Sequence, residues 1–542
     1  MLRILPLGGL GEIGKNCMVL ECDGEAIMVD CGVTFGGREF GVDVTHPAFD
    51  WLHQYRGKLR GVVLTHGHED HIGAVPYLLR ELDVPVYGPP YAMSLLRNRE
   101  DEHPVLHHAQ LKVVEPGAAI AFGPFQVSPI RVTHSIIDAT ALAIATPSGM
   151  VVHTGDFKID DGDFGGQSFD MESFRALGKQ GVDLLMSDST NIEREGTTVR
   201  ERDVHAQLER DISNARGAVF VGLFSSNTAR MDALGKIAER TGRKLVLMGR
   251  GMRNHAGIAR QHKHLSWSES RVWPEERVAE VPREKLLILC TGTQAEPGGA
   301  LGRLGSGSHR YLDVRDGDTV LFSSRVIPGH EPEVDAMIDA LIRRGARVLT
   351  PNTSNERHAS GHAHRSEQAQ MLELCAPRSF LPLHGRLRHL MLHAELAREH
   401  GSEACVIENG TEAQLTRLSL SVGGSFSSGQ VQTWSTRAVA PALVSERRAM
   451  GFGGVVVVGI RVRNGGAACD VLEVQSHGVT GPKNELQLAA EVQRDVAREL
   501  GASVVQRLSD VEIQELVIRA ARRAGQRVLG FRPEIVPRVV RV

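Results

Sequence analysis

The sequence predicts an α/β protein built from several domains, and three observations support this. Short apolar runs typical of strands alternate with segments of helical period along most of the chain. The length of 542 residues exceeds what one hydrophobic core fills, since cores stop growing near roughly 250–300 residues. A hydrophobic share of 42% with 23% charged residues is that of a globular protein, which excludes a disordered or membrane-embedded chain.

The N-terminal third of the chain is rich in predicted strands. Apolar runs on both sides of Asp23-Gly24 predict a hairpin, because Asp-Gly between such runs favours a tight turn. The buried strand Gly61–Thr65 leads into a histidine-rich loop, and residues 72–82 have the apolar spacing of a helix. Further strands are predicted at 126–133, 142–146, 150–154 and 182–186, with a helix at 170–179.

Beyond residue 200 the pattern changes twice. From about 200 to 350 strands and helices alternate, which predicts an inserted domain with a parallel sheet. After a helix at 365–375, the strand Phe380–Leu383 ends at His384, so the insertion is expected to close there. A Gly/Ser-rich connector at 421–437 precedes renewed strand and helix patterns, which predict a separate C-terminal domain of about a hundred residues.

Charge, cysteines and apolar runs restrict the class of protein further. Lys and Arg number 62 against 65 Asp and Glu, so any surface for nucleic acid must be local. The seven cysteines show no C-x-x-C spacing, which favours free thiols in a reducing cytoplasm over disulfides or a thiolate zinc site. Pro6 and Gly8 interrupt the only signal-like run, and Val455–Ile460 has the length of a strand, so neither a leader nor a membrane span is predicted.

The main chemical feature is an H-x-H-x-D-H cluster directly after a buried strand. It places four potential metal ligands within six residues: His66, His68, Asp70 and His71. Imidazoles two residues apart on an extended turn can converge on one ion, while an Asp-His pair at the start of the next helix can face a second ion. The alternative, a solvated polar loop, is disfavoured by the flanking strand and helix.

Three isolated residues extend this pattern. His134, Asp156 and Asp30 each follow a predicted strand, and each alone is more often an ordinary polar loop residue. In combination with the H-x-H-x-D-H cluster, they resemble the metallo-β-lactamase superfamily. That resemblance implies two metal ions, one held by His66, His68 and His134, the other by Asp70, His71 and His384, with Asp156 bridging them. Asp30 is implied to hold a ligand in place from outside.

Three segments of the second half narrow the resemblance to the β-CASP nucleases, a branch that acts on nucleic acids. They are Ser187–Asn191, His358–His362 with the spacing H-x-S-G-H, and Pro382–Gly385. Within that branch the chain resembles the ribonuclease J family in segments along nearly its whole length: Gly8–Asn16, Phe224–Asn227, Thr291–Pro297, Ser323–Gly329 and Phe531–Pro537. Two positions depart from the family pattern, since Arg386 stands where Glu is usual and His330 where Asn is common.

The resemblance implies an architecture: a metallo-β-lactamase αββα sandwich with an inserted β-CASP α/β domain and a small C-terminal α/β domain. The expected bounds are 1–195 and 365–435 for the two parts of the sandwich, 196–364 for the β-CASP domain, 436–450 for a linker and 451–542 for the C-terminal domain. The nitrogen-rich, sulfur-free ligand set favours zinc, with manganese or magnesium as alternatives.

The implied activity is a metal-dependent ribonuclease that cuts RNA phosphodiesters and leaves 5′ phosphates, as a 5′-to-3′ exonuclease, an endonuclease or both. The expected catalytic residues are His362, Asp188, which orients an imidazole, and Asp70. The expected phosphate-binding residues are His358, Ser360, Ser323 and Ser324. We expect a cytoplasmic homodimer or homotetramer acting on single-stranded RNA that carries a 5′ monophosphate.

Three other functions remain open at this point. The metal pocket also suits a small-molecule metallohydrolase, because one fold serves many reactions, although the large insertion argues against it. A DNA-directed β-CASP nuclease and a non-catalytic scaffold of an RNA-degrading complex are the other two. A full ligand set disfavours the scaffold, and cleavage of matched RNA and DNA oligomers separates the nucleases.

Overall fold

A computed structural model describes residues 1–161, 167–327, 329–463, 469–501 and 508–542. The chain divides into two compact units, the first comprising Met1–Thr34 and Thr45–Val431, the second Phe35–Val44 and Gln432–Val542. The predicted α/β class is confirmed. Among the described residues, no helix combines the length and apolarity needed to cross a bilayer.

The helices and strands have the following bounds. The strands are β1 (Leu2–Gly8), β2 (Leu10–Gly11), β3 (Cys17–Cys22), β4 (Glu25–Val29), β5 (Thr34–Phe35), β6 (Val44–Pro47), β7 (Leu59–Val63), β8 (Val86–Gly88), β9 (Leu111–Val113), β10 (Ile120–Phe122), β11 (Phe125–Arg131), β12 (Thr140–Thr146), β13 (Gly149–His153), β14 (Leu184–Asp188), β15 (Val219–Gly222), β16 (Lys244–Met248), β17 (Leu286–Cys290), β18 (Thr319–Phe322), β19 (Arg347–Leu349), β20 (Ser379–Leu383), β21 (Gly385–Arg386), β22 (Glu403–Ala404), β23 (Thr411–Leu415), β24 (Leu420–Ser425), β25 (Gln430–Trp434), β26 (Arg437–Val439), β27 (Val455–Val462), β28 (Cys469–His477) and β29 (Glu534–Arg541). The α-helices are α1 (Glu69–Ile72), α2 (Val75–Glu81), α3 (Pro90–Arg97), α4 (Met171–Gln180), α5 (Glu201–Ser213), α6 (Thr228–Arg240), α7 (Arg250–Gln261), α8 (Ala300–Ser306), α9 (Glu331–Arg343), α10 (Arg365–Cys375), α11 (Leu387–Glu399), α12 (Pro441–Gly453), α13 (Pro482–Glu499) and α14 (Asp510–Leu529).

Two sheets form the sandwich of the first unit. One sheet has the strand order β24-β23-β1-β3-β4-β7-β8-β9, and the other has the order β10-β11-β12-β13-β14-β20-β22. Apolar side chains of both sheets meet in a buried core that includes Ile4, Leu20, Val127 and Leu184. Phe174 and Met371, from α4 and α10, contribute to a further apolar core that covers the second sheet. Strands from both ends of the unit therefore build one sandwich, because β20, β22, β23 and β24 join sheets begun by residues 1–188.

The segment between β14 and β20 folds as a three-layer α/β/α insertion. Its parallel sheet has the order β16-β17-β15-β18-β19. Strands β15 and β17 are buried on both faces, as continuous apolar runs in parallel sheets predict. Side chains of α5, α6 and α7 cover one face, and those of α8 and α9 cover the other.

The second unit contains a small α/β layer. Strand β27 pairs antiparallel with β28 and parallel with β29. Alternate residues of β27 are buried, and Val456, Val458 and Ile460 pack with apolar residues of α13 and α14. This period-two pattern is the one that a strand with one covered face requires.

The predicted connector and linker are replaced by regular structure. Within 421–437, strand β24 pairs antiparallel with β23, since small Gly and Ser side chains do not prevent backbone pairing at a sheet edge. Within 436–450, where a linker was expected, β26 pairs with β25 and α12 begins at Pro441. Proline is favoured in the first turn of a helix, a signal that composition alone did not reveal.

Candidate active site

The residues predicted to bind metal lie together beyond the carboxyl ends of strands. Asp30 follows β4, the histidine cluster follows β7, Asp156 follows β13 and His384 follows β20. Asp30 and His384 have φ angles of 58° and 47°. Non-glycine residues seldom adopt this left-handed backbone, and when they do they are often found at functional sites.

Three imidazoles converge on one point. Nδ1 of His68 lies 3.1 Å from Nε2 of His66 and 3.0 Å from Nε2 of His134. Three nitrogens bound to one zinc ion at about 2.0–2.1 Å in tetrahedral geometry would lie about 3.3 Å apart. The spacing therefore fits a divalent ion at the centre of the group.

A second group of ligand atoms lies beside the first. It comprises Asp70, His71, Asp156 and His384, whose candidate ligand atoms all lie within 4.8 Å of one another. Asp156 Oδ2 is 3.1 Å from His71 Nε2 and 3.9 Å from His66 Nε2. The carboxylate of Asp156 thus stands between the two groups, as a bridging ligand must.

Hydrogen bonds behind the imidazoles fix which nitrogen faces inward. His71 Nδ1 donates to Asp30 Oδ2 at 2.7 Å, and His134 Nδ1 donates to the carbonyl oxygen of Gly361 at 2.6 Å. The hydroxyl of Thr65 donates to Asp30 Oδ2 at 2.8 Å, so that His66 Nδ1 donates to Thr65 Oγ1 at 3.0 Å. The inward Nε2 atoms of His66 and His134 are then free of that proton, which is the state a metal ligand needs.

The two groups differ in electrostatics. Burial and the neighbouring imidazoles hold the pKa values of His66 and His134 well below the usual range, and burial lowers the pKa of His68 to about 4. Burial would also lower the pKa of His71, but the carboxylates of Asp156 and Asp30 outweigh it and raise that pKa. The first group is therefore neutral, while the second has a negative field that attracts a cation.

His362 contacts the same region from the H-x-S-G-H segment. Its Nδ1 lies 2.8 Å from Asp188 Oδ2, and its side chain is 23% exposed. Burial opposes protonation, but the carboxylates of Asp188 and Asp156 raise the pKa of His362 to about 9. Asp156, Asp188, His362 and His384 also satisfy the spacing of a ligand group. Because Asp188 already engages Nδ1, the other ring nitrogen of His362 is the one left for a further partner.

The predicted phosphate-binding residues occupy different environments. Ser360 Oγ accepts hydrogen bonds from Asn191 Nδ2 at 2.8 Å and from the His362 backbone at 3.2 Å, which leaves its own hydrogen for a ligand. Ser324 and His358 are buried, at 4% and 8% exposure. Ser323 departs from expectation: its side chain is fully buried, and its hydroxyl donates to the carbonyl oxygen of Arg357 at 2.8 Å, so that hydrogen is not available to a phosphate.

Sequence reasoning missed two residues that touch the site. The side-chain amide of Asn16 lies 2.9 Å from His71 Nε2 and donates to the carbonyl oxygen of Asp70 at 3.2 Å. The backbone N–H of Gly14 donates to His384 Nε2 at 3.2 Å. Both lie in Gly8–Asn16. The resemblance of this segment to the ribonuclease J family was the sequence signal that could have pointed to them.

Comparisons with known proteins agree with this geometry. Family models match at residues 10–185 (metallo-beta-lactamase superfamily), 216–341 (ribonuclease J, beta-CASP domain), 355–407 (Zn-dependent metallo-hydrolase RNA specificity domain) and 442–542 (ribonuclease J C-terminal domain). Ribonuclease J of Thermus thermophilus is 36% identical over 551 residues, which cover 99% of this chain and 95% of the relative. The chain belongs to the ribonuclease J family.

Further members of the ribonuclease J family match this chain with similar sequence identity. The Helicobacter pylori strain 26695 protein is 36% identical over 94% of this chain and 74% of its own length, and the Mycobacterium tuberculosis protein is 34% identical over 100% and 97%. A crystal structure of a protein of unknown function from Enterococcus faecalis superposes with a TM-score of 0.55 at 17% identity, over 76% of this chain and 99% of that one. That likeness concerns the fold alone, and the sandwich with a β-CASP insertion and a C-terminal domain is confirmed by the family models.

Proposed function

We propose that this ribonuclease J family member hydrolyses single-stranded RNA with two divalent metal ions, Zn²⁺ in preference to Mn²⁺ or Mg²⁺. Its family makes it a metal-dependent ribonuclease. The products carry 5′ phosphates, and the action is 5′-to-3′ exonucleolytic, endonucleolytic or both. The observation that carries the proposal is the pair of adjacent ligand groups joined at Asp156.

The proposed ligands divide as the distances suggest. His66, His68 and His134 would hold one ion and Asp70, His71 and His384 the other, with Asp156 as the ligand shared between the two groups. When bound, two such ions supply Lewis acidity that activates water and stabilises charge on a phosphate. Asp30 holds His71 in orientation. Asp70, with a side chain that is 30% exposed, is the ligand carboxylate placed to accept the proton of the attacking water.

His362 and Asp188 supply the acid of the reaction. Because Nδ1 of His362 donates to Asp188, the other ring nitrogen is the one that can protonate the leaving 3′ oxygen. Asp188 in turn is fixed by Thr190, whose backbone N–H and hydroxyl donate to its Oδ1 at 2.9 and 2.6 Å. A carboxylate held this firmly keeps the imidazole in one orientation.

The 5′ end of the RNA is held by His358, Ser360 and Ser324. The hydroxyl of Ser360 accepts hydrogen bonds from the His362 backbone and from Asn191, while His358 begins the same H-x-S-G-H segment and Ser324 follows β18 of the insertion. Hydroxyl and imidazole N–H groups are suitable donors to a terminal phosphate. A grip of this kind favours RNA that carries a 5′ monophosphate.

Domain bounds, assembly and location complete the proposal. The sandwich comprises 1–195 and 365–435, the β-CASP domain 196–364 and the C-terminal domain 451–542. Phe452 and Leu486 of the second unit are 84% and 80% exposed, which supports association into a homodimer or homotetramer. Buried thiols such as Cys31 and Cys290 support a reducing, cytoplasmic setting.

One experiment tests the main proposal. A 5′-monophosphorylated RNA labelled at either end is digested, the metal content of the same preparation is measured, and a DNA of the same sequence is run beside it. We expect RNA cleavage, 5′ phosphates on the products and two ions per chain. Cleavage of the DNA alone, or RNA cleavage after both ions are removed, would contradict the proposal.

A further inference from the structure

Four charged side chains are buried together behind the proposed 5′ pocket. The Glu201 cluster consists of Lys158, Asp160, Glu201 and Arg230, each with a side chain no more than 1% exposed. Removing such charges from water is costly, so burial persists only where the groups pair closely. A contribution to stability is therefore not a sufficient reason for this cluster, and we look for a further role.

The cluster joins the sandwich to the insertion. Lys158 and Asp160 lie just beyond Asp156 in the sandwich, whereas Glu201 begins α5 and Arg230 lies in α6. Lys158 Nζ is 3.0 Å from Asp160 Oδ2 and 3.3 Å from Glu201 Oε1, and the backbone N–H of Glu201 donates to Asp160 Oδ2 at 3.0 Å. These contacts fix the carboxylate of Glu201.

Glu201 in turn fixes Arg230. Arg230 Nη2 donates to the two oxygens of Glu201 at 2.7 and 2.9 Å, and its Nε donates to Oε2 at 3.3 Å. The remaining nitrogen, Nη1, donates to the carbonyl oxygen of Ser323 at 2.7 Å and lies 3.2 Å from Nδ1 of His358. The guanidinium thus reaches from the cluster to the wall of the proposed pocket.

The contact with Arg230 determines the protonation state of His358. Arginine is a permanent cation that only donates hydrogen bonds, so the nitrogen facing Nη1 must accept. The Ser323 carbonyl also lies 3.3 Å from Nδ1 and has a second lone pair, but a proton placed on Nδ1 would lie against the Arg230 cation, whose Nη1 is 3.2 Å away. Nδ1 is therefore bare and the proton sits on Nε2.

Burial and the surrounding charges also favour the neutral form of His358. Burial lowers the pKa of His358 to about 3, and the positive charges of Arg230 and Arg325 act in the same direction, against Glu201. The imidazole of His358 is therefore neutral at pH values well above 3, with one N–H to donate.

We propose that Arg230 is a positioning residue for the RNA 5′ end: it holds His358 as the neutral imidazole whose Nε2–H donates to the 5′ phosphate. This rests on the proposed function, in which His358 contacts that phosphate. Because Lys158 and Asp160 of the sandwich fix Glu201, which in turn holds Arg230, the pocket is tied to the segment that carries Asp156.

The test is a double-mutant cycle on full-length, metal-loaded protein. Arg230→Lys keeps the positive charge opposite Glu201, but one ammonium cannot serve both Glu201 and His358. We measure kcat/KM on matched RNAs with a 5′ monophosphate or a 5′ hydroxyl, in wild type, Arg230→Lys, His358→Ala and the double variant. The preference for the monophosphate should fall about 10- to 100-fold in Arg230→Lys, the range of a hydrogen bond to a charged group. In the His358→Ala background the same change should have no further effect on that preference.

Arg243→Lys is the matched control. Arg243 is also buried in the insertion, but within the described part of the chain its hydrogen bonds go to backbone carbonyl oxygens, such as those of Gly217 and Leu286. Its variant should keep the 5′ preference of the wild type. If Arg230→Lys proves unfolded by circular dichroism, the pair Arg230→Met with Glu201→Gln, which removes both charges, takes its place in the cycle.

The outcomes distinguish a failure of the role proposed for Arg230 from a failure of the proposed function. An equal loss of activity on both RNAs, or a loss of preference that persists in the His358→Ala background, overturns the role of Arg230 and leaves the proposed function standing. A wild-type enzyme that cleaves both RNAs equally overturns the proposed 5′ pocket, and the role of Arg230 with it.

Discussion

Replacing His362 by alanine tests whether this residue is an acid or a metal ligand. The change removes an imidazole whose Nδ1 is 2.8 Å from Asp188 Oδ2. Asp188 keeps two hydrogen bonds from Thr190 to its other oxygen, so the local loop should hold its position. A general acid contributes typically about 10²–10⁴-fold, which corresponds to about 3–5 kcal/mol of activation free energy. We expect turnover to fall by that factor while both ions stay bound.

The variant His384→Ala serves as the comparison for His362→Ala. Its Nδ1 is 2.8 Å from Asp156 Oδ1 and its Nε2 is 3.5 Å from Asp70 Oδ2, so its loss should release one ion. Single-turnover cleavage of a 5′-monophosphate RNA and metal stoichiometry by mass spectrometry are measured side by side. Metal loss in His362→Ala with full stoichiometry in His384→Ala would show that the two roles are exchanged. A wild-type rate in His362→Ala would refute the acid role outright.

Three further changes have defined outcomes. His68→Ala should abolish cleavage in step with metal loss while circular dichroism stays that of the folded chain, because His68 lies at the centre of the three-imidazole group; a variant with both ions and full activity would contradict this. Asp30→Asn should weaken metal binding about 10- to 100-fold in a chelator competition, since it removes the charge that orients His71, and unchanged affinity would exclude that role. Burial lowers the pKa of His393 to about 3, so the folded chain keeps this imidazole neutral while the unfolded chain binds a proton below about pH 6.5. The free energy of unfolding should therefore fall as the pH drops from 6.5 towards 3, by up to about 5 kcal/mol, and in urea unfolding of the chelator-treated proteins His393→Phe should lack this part of the pH dependence; equal pH slopes in the two proteins would count against it.

The spacing of residues predicted the part of the site that lies within one loop. The parts contributed by distant segments were predicted through the family resemblance. His66, His68, Asp70 and His71 were predicted from spacing alone, because they lie within one loop. Asp156 and His384 meet at 2.8 Å although 228 positions separate them, so no periodicity pairs them. His384 entered the ligand set only through the family pattern.

Side chains without a motif could not be predicted. Nothing in the sequence around Arg230 distinguishes it from the other arginines of amphipathic helices, and its partners Glu201, Ser323 and His358 come from distant segments. The Gly/Ser-rich stretch was predicted as a connector because its composition favours turns. Pairing of Leu420–Ser425 with β23 overrides that preference, since a neighbouring strand supplies the hydrogen bonds.

The position of the insertion sets an order of events during synthesis. Strands β14 and β20 are hydrogen-bonded neighbours, with Leu184 opposite Ser379, yet about 190 residues separate them along the chain. At roughly 5–20 residues per second, β14 leaves the ribosome about 10–40 s before its partner. The β-CASP segment can fold within that interval, whereas the second sheet of the sandwich stays open at one edge until β20 arrives. A chain stalled inside the insertion therefore displays an unpaired strand, which is a template for aggregation, and lacks His384.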